Sequence, residues 1–379
     1  MGKGGKYLAK KPVAKKKKKS VLSKILIGIL IVLLLAVGGV VLYINHLMNL
    51  VSRPDDVVVK PTETIAAAAP TQEIIATEAE ETTVGTTSPE DTWPEIVSDE
   101  NITNFMLVGN AYRPGEEYYI TDTMILVSIN RETKTITLTS LMRDMCLVWP
   151  QYTDTLGKTH TGNNRINMAY NMGYSWTKNK QDSMDVLESI VQYNFGVPVE
   201  RTIEVDFDLV NKVAELLGGV EVELSQEEID YLRENYPDSN TAKTLEPGMC
   251  KLSPYLTLCY ARMRKVGHGD YQRTERQRIV ITQMIEKLKN MNILKVHSLF
   301  TEILPMITTD MSNTEMMNYA WEFIPMLKDL KIQSQRIPFD GNEMSVVRDG
   351  DYMIAPRDLK ATARQLQESI GMTVEEAAN

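Results

Sequence analysis

The chain has 379 residues, 43 % of them hydrophobic and 24 % charged, which is enough apolar material for one large core or two small ones. Its formal net charge of −9 hides a split, because residues 1–24 hold ten lysines and no acid and leave 31 bases against 50 acids in the remainder. An acidic body argues against a nucleic-acid partner, which is bound through basic fields, so any anion site must be a local island of positive charge.

Residues 25–44 (ILIGILIVLLLAVGGVVLYI) carry no charge. Twenty residues at 1.5 Å each span roughly 30 Å, the thickness of a bilayer's hydrocarbon core. The lysine run Lys15–Lys19 precedes this stretch, and the positive-inside bias holds such a run in the cytoplasm while the chain beyond it crosses the membrane. A cleaved signal peptide fits less well. The apolar stretch is too long, and Asn45, His46, Leu47 and Met48 offer no small-residue cleavage site. A single uncleaved transmembrane helix behind a basic tail, which suits anionic lipid, is expected. Residues 45–100, rich in Thr, Glu, Ala and Pro, read as a disordered linker that cannot bury enough apolar surface to offset its ordering entropy.

From Asn101 the texture becomes globular. Residues 105–109 read as a buried strand, and 123–129 and 135–140 as a strand pair with a short connection. Residues 163–173 and 180–194 are helical in pattern, 202–205 a strand, 207–217 a helix closed by Gly218-Gly219, and 220–224 a strand. Residues 256–263 alternate like a strand, and 273–291 form a strongly helical segment. This interleaving predicts an α/β fold, a three-layer sandwich around one mixed β-sheet, over 101–292. Residues 293–379, helical to 330, with a strand-like 334–338 and an amphipathic helix from 356, read either as a C-terminal extension or as the completion of the same domain, and carry no evident chemistry. Three cysteines without a CxxC spacing and four histidines argue against a zinc or thiol-redox centre. Whether Cys250 and Cys259 pair is left open.

Four clusters carry candidate chemistry. Asp122, between Thr121 and Thr123 at a strand head, is either a turn residue or a carboxylate for Mg²⁺, which takes one or two carboxylates plus phosphate oxygens and water. Arg143, directly after the 135–140 strand, is a phosphate fork or a surface partner of Asp144. At strand spacing, Arg262 and Arg264 would share a face and repel unless an anion lies between them. Asp270 can start a helix on which Arg273, Arg276 and Gln277 share a face, behind the turn Gly267-His268-Gly269. Helix N-terminus, glycine turn and arginines together make an anion site, with Glu275 and Arg278 turned to solvent. The island's natural ligand is a diphosphate, and a membrane anchor favours a lipid-linked one.

The ordered set NFMLVGN, TDTMILVSIN, LTSLMRD, RINMAYNMG, VDFDLVNKVAELLGGVEVEL, LEPGMCKLS, CYARMR and GDYQRTERQR resembles the LytR–CpsA–Psr family of wall-polymer ligases. The resemblance implies an α/β domain with a deep hydrophobic pocket for a polyprenyl tail. It implies a phosphotransferase that moves teichoic acid or capsular polysaccharide from undecaprenyl pyrophosphate to a peptidoglycan hydroxyl, with Mg²⁺ at the pyrophosphate, outside a Gram-positive type membrane. By motif match Asp122 is the metal carboxylate, and Arg143 and Asp270 join it as catalytic residues. Arg143, Arg165 (where the family usually has lysine), Arg262, Arg264, Arg273, Arg276 and Gln277 would bind the pyrophosphate. The family commonly has an aspartate where this chain has Asn110, whose amide can ligate Mg²⁺ or its waters without charge. That substitution keeps a second reading open, a non-catalytic polyprenyl-pyrophosphate-binding or regulatory module of the cell envelope. Transcriptional attenuation is disfavoured, because a tail of about 24 residues is too short for a folded DNA reader.

Overall fold

A computed structural model of the chain describes residues 43, 45–54, 97–110, 121–237, 239–348 and 350–373. The expected transmembrane helix, the basic tail and most of the linker lie outside the described residues. Among those described, no helix is long and apolar enough to cross a membrane.

In chain order the strands are β1 (Ile102–Asn110), β2 (Thr121–Asn130), β3 (Thr135–Leu141), β4 (Cys146–Thr153), β5 (Thr159–Arg165), β6 (Arg201–Val205), β7 (Val220–Leu224), β8 (Gly248–Leu252), β9 (Thr308–Thr309), β10 (Lys331–Ile337), β11 (Glu343–Arg348) and β12 (Asp351–Pro356). The longer helices are α1 (Ile166–Thr177), α2 (Lys180–Phe195), α3 (Phe207–Leu216), α4 (Gln226–Asn235), α5 (Pro254–Arg262), α6 (Asp270–Lys289), α7 (Ile293–Ile303), α8 (Asn313–Phe323) and α9 (Leu359–Ser369). Among the described residues six strands form one mixed sheet in the order β10-β3-β2-β1-β6-β9. In it β1 runs antiparallel to β2 and parallel to β6, and β10 runs parallel to β3.

Alternation along the central strands creates two unequal faces. Met106, Val108, Met124 and Leu126 are all but fully buried against Ala169, Met184, Leu187 and Ile190 of α1 and α2 and Leu366 of α9. On the opposite face Phe105, Ile125 and Leu138 pack with Tyr319 and Phe323 of α8 and Ile281 of α6. A satellite core joins the antiparallel pair β7–β8 to α4, α5 and α6. Helix boundaries follow ordinary capping chemistry. Asn179 accepts from Gln181 N–H to open α2, and Gly196 closes it at φ 63°.

Three expectations are corrected. Residues 256–263 are not a strand, since Ser253 caps Leu256 N–H and Pro254 sits at the first helical position, which together start α5. Residues 163–165 belong to β5, paired with β4, rather than to the helix that begins at Ile166. For the segment from 293 onward the extension reading gives way to the alternative that it completes the same domain, because β10 extends the central sheet beside β3 and α9 packs into the core against α2. Cys250 and Cys259 are free thiols.

At the start of β6, Glu188 accepts from Thr202 Oγ1 at 2.6 Å, and Asp310 accepts from Thr202 N–H at 2.9 Å. Burial, aided by Asp310 and Asp185, pushes Glu188 up to about 8 against the pull of Arg201. The folded state therefore holds a proton that the unfolded chain releases near pH 4.5. Stability from this group is present below that value and is lost as pH rises towards about 8, by at most about 5 kcal/mol. Chemical denaturation of Glu188→Gln is expected to show a flatter dependence between about pH 5 and 8. A variant that tracks the wild type across that window would refute the assignment.

Candidate functional site

Three loops meet at one end of the sheet. Asp122 is the second residue of β2, Arg143 follows β3 by two residues, and Arg264 lies in the turn between α5 and α6, whose first residue is Asp270. Gly109 lets β1 and β2 approach there, since a Cβ on it would stand 2.7 Å from the Thr123 Cβ. Gly269 opens α6 at φ 63°, a backbone that side-chain-bearing residues rarely adopt. The Arg143 loop is fixed from two sides, with Asn167 N–H donating to Arg143 O at 3.2 Å and Met142 N–H to Ile337 O of β10 at 3.1 Å.

Arg143 Nη1 and Arg264 Nη2 each lie 2.9 Å from an Asp122 carboxylate oxygen. Arg273 Nη2 donates to the Asp122 carbonyl at 2.9 Å and to Asp270 at 3.0 Å. Asp270 also faces Arg143 at 3.4 Å and Arg264 at 3.8 Å. Three guanidiniums thus share two carboxylates. Arg273 is 1 % exposed, yet its Nε and Nη1 make no hydrogen bond, nor does the buried Nε of Arg143. Unfilled guanidinium donors in a buried setting are costly unless an anion completes them.

The environment drives the two carboxyls apart. Burial works to raise Asp122, but Arg264, Arg143 and Arg273 together hold it below the usual range. For Asp270, burial outweighs Arg273, Arg143 and Arg264 and leaves it above. Burial likewise pulls the Arg273 guanidinium down to about 10. Two carboxyls of opposed tendency are the usual division into a charged anchor and a proton carrier.

The sequence profile of the LytR_cpsA_psr family matches residues 58–368. The chain belongs to the LytR–CpsA–Psr family. A polyisoprenyl-teichoic acid–peptidoglycan teichoic acid transferase, TagV of Bacillus subtilis, is 26 % identical over 196 residues, which are 51 % of this chain and 46 % of that protein. The match therefore spans less than half the length of that relative. TagU of Bacillus licheniformis, named for the same transfer, is 27 % identical over 269 residues, 70 % of this chain and 77 % of the relative. Among solved structures, Bacillus subtilis TagT bound to LIIa-WTA superposes with TM-score 0.54 at 20 % identity, covering 72 % of this chain and 92 % of that one. TagT with bound octaprenyl pyrophosphate lipid gives TM-score 0.50 at 19 % identity over the same shares. These likenesses show the mixed sheet with flanking helices as the LytR–CpsA–Psr fold.

In this LytR–CpsA–Psr chain, the motif residues divide into those that meet and those that do not. Asp122, Arg143, Arg264, Asp270 and Arg273 meet. Arg165 stands beside them, 3.9 Å from Asp144, which itself lies 3.5 Å from Arg143. The Gln277 side-chain oxygen is buried and makes no hydrogen bond. Arg262 is set apart: it ends α5, and its guanidinium stacks 4.4 Å over the Phe207 ring. Arg276 faces away as well. Its Nε pairs with Glu228 at 2.8 Å, and its Nη atoms donate to Met263 O and Val266 O, tying α6 to α4 and to the turn after α5. Arg278 is not in solvent but 6 % exposed, donating to Ser140 Oγ at 2.7 Å beneath the Arg143 loop. Asn110 is 2 % exposed and donates to Glu204, which is held by Lys180 at 2.9 Å. The Asn110 backbone pairs across the strands with Thr121, the residue before Asp122.

Asp144, read from the sequence only as a surface partner of Arg143, links Arg143 to Arg165; what the sequence reading missed is the β11–β12 hairpin. Arg165 donates to Tyr352 O at 3.1 Å and lies 3.6 Å from Asp351. The sequence offered no signal for this, since backbone carbonyls and solitary aspartates form no motif.

The sheet face that packs against α6 and α8 is incompletely covered. Leu107, Val127 and Ile203 are half-buried on the central strands, while Met106 and Val108 behind them are fully buried. Apolar side chains incompletely covered inside a three-layer fold are a surface that an oily ligand can cover. For Mg²⁺ the fit is conditional. Among the described residues no group of three His, Cys, Asp or Glu side chains could hold a metal. Both Asp122 oxygens already face guanidiniums, so Mg²⁺ fits Asp122 when phosphate oxygens complete its shell.

Proposed function

We propose that this protein is a membrane-anchored phosphotransferase that moves an anionic glycopolymer from a polyprenyl pyrophosphate carrier to a peptidoglycan hydroxyl on the outer side of a Gram-positive type membrane. What supports this most is the convergence of Arg143, Arg264 and Arg273 on Asp122 and Asp270 with guanidinium donors unfilled. In this reading the two carboxylates mark where phosphate oxygens would lie. The transfers named for TagV and TagU agree with this reading, and so does the lipid in TagT.

In this reading the arginines take the two phosphates, Arg165 and Gln277 border them, and the half-open sheet face around Leu107, Val127 and Ile203 receives the polyprenyl tail. Asp122 would hold Mg²⁺, which would neutralise charge on the pyrophosphate oxygens when bound. An acceptor sugar hydroxyl attacks the phosphorus nearer the glycopolymer and forms a P–O bond. The bond to the bridging oxygen breaks and polyprenyl phosphate leaves. Asp270, with its raised proton affinity, takes the hydroxyl proton.

With full-length protein, a lipid-linked donor and peptidoglycan, Asp270→Asn is expected to lower kcat at least about 100-fold while donor binding changes less than about threefold. Equal losses in both would remove Asp270 from the chemistry. The engagement of Asn110 by Glu204 favours the second reading, a module that binds the carrier without turnover, because Asp122 then lacks a carboxylate partner for the metal. A wild-type protein that binds polyprenyl pyrophosphate but transfers nothing would establish it.

A further inference from the structure

Successive residues of a helix stand about 100° apart, so the first turns of α6 present three faces. Asp270 and Arg273 lie on the face that meets Asp122, and Gln277 shares it one turn on. Tyr271, Thr274 and Arg278, three and four apart, lie on the next face. There Thr274 Oγ1 reaches Met142 Sδ at 3.7 Å, and Arg278 Nη1 donates to Ser140 Oγ at 2.7 Å. Both contacts fall on the three residues before Arg143, so this face is the bed on which the Arg143 loop lies. Arg276 stands on the third face. Its Nε donates to Glu228 at 2.8 Å, its Nη1 to Met263 O at 3.1 Å and its Nη2 to Val266 O at 3.2 Å. Those two carbonyls bracket Arg264.

The two arginines are buried, Arg276 at 2 % and Arg278 at 6 % exposure. Arg278 forms no ion pair among the described residues, and its buried Nε makes no hydrogen bond. Burial pulls its guanidinium down to about 10. A buried cation without a carboxylate holds a fold less well than an apolar side chain of similar size. Its presence points to a task other than stability.

We infer that Arg276 and Arg278 are positioning residues, which aim Arg264 and Arg143 at the anion that Arg273 grips from the same helix. The inference rests on the pyrophosphate reading and deepens it. All three guanidiniums that face Asp122 are then referenced to the backbone of α6. Arg273 is attached directly, Arg143 through Ser140 and Met142, and Arg264 through the carbonyls on either side of it. A planar fork must meet phosphate oxygens in one geometry, so slack in either loop weakens binding although no group that touches the ligand is lost.

Calorimetry of polyprenyl pyrophosphate binding to full-length protein in detergent tests this through double-mutant cycles. Arg278→Met combined with Ser140→Ala replaces both bonded partners by apolar groups, so the melting temperature is expected to hold or rise. Affinity is nevertheless expected to fall about tenfold. In an Arg143→Ala background the same pair should change affinity less than about twofold, because the loop has no fork left to aim. Arg276→Lys keeps a cation opposite Glu228 and loses the planar fork on the two carbonyls. It is expected to weaken binding about fivefold beside Arg264 and less than about twofold beside Arg264→Ala. Losses of equal size with and without the aimed arginine overturn the inference for that brace, as does unchanged affinity or a loss that follows a lowered melting temperature. A wild-type protein that does not bind polyprenyl pyrophosphate overturns the pyrophosphate reading and this inference together, whereas failed cycles in a wild type that binds leave that reading standing.

Discussion

Arg273→Ala is expected to lower affinity for polyprenyl pyrophosphate by about 1,000-fold. The guanidinium is 1 % exposed, bonds the Asp122 carbonyl and Asp270, and keeps two N–H donors unfilled. Losing two charge-assisted hydrogen bonds at roughly 2 kcal/mol each gives about 4 kcal/mol, or three powers of ten. Arg273→Lys keeps the charge and loses the planar fork, so an intermediate loss of about 30-fold is expected. Arg262→Ala serves as the control. Its side chain lies over Phe207 and should leave binding within about twofold, an outcome opposite to what its motif position alone implied. Calorimetry on the three variants decides the matter. An alanine variant at 273 that binds within about threefold of wild type would remove the arginine cluster from ligand recognition.

Asn110→Asp is expected to weaken the fold rather than to build a second metal carboxylate. The Asn110 amide donates to Glu204 Oε1 at 2.9 Å, and Lys180 Nζ sits on the same oxygen at 2.9 Å, with Tyr170 bonding the other. One buried ammonium already balances one buried carboxylate. A second carboxylate removes a donor and adds a like charge, at a cost of roughly 2–4 kcal/mol. The new group would hold its proton well above the range of a free aspartate, so the deficit against wild type should grow as pH rises. Urea denaturation at about pH 5 and about pH 8 measures this. Equal stability at both values, together with Mg²⁺ binding tighter than that of the wild type, would show that position 110 faces the metal after all.

These two residues mark where sequence reasoning succeeds and where it stops. The strands β1, β2, β3, β6 and β7 and the helices α2, α3 and α6 were legible because their apolar periods and their Asn, Asp and Gly boundaries agree. The helix α5 was misread as a strand, since LTLCYARM alternates as well as it spirals, and the Ser253-Pro254 start signal outranks that alternation. That error carried the pairing of Arg262 with Arg264: at a helix end leading into a turn, residues two apart do not share a face. Asp122, Arg143 and Asp270 could be found because each sits where a strand or helix begins or ends. The companions Arg276 and Arg278 could not be sorted, because α6 is enclosed on several sides. Its polar first turns therefore look the same whether an arginine meets a ligand, Glu228 or Ser140.

The place of β10 has a consequence for biosynthesis. The hydrogen bonds that β3 offers on its outer side are taken by residues 331–337, and the carbonyl of Ile337 anchors the very loop that carries Arg143. A nascent polypeptide released up to residue 292 would hold every motif arginine and still lack the brace that aims one of them. The arginine centre can mature only after the chain has emerged through β10, so premature termination anywhere before that strand should yield a sticky, inert product rather than a partly active one.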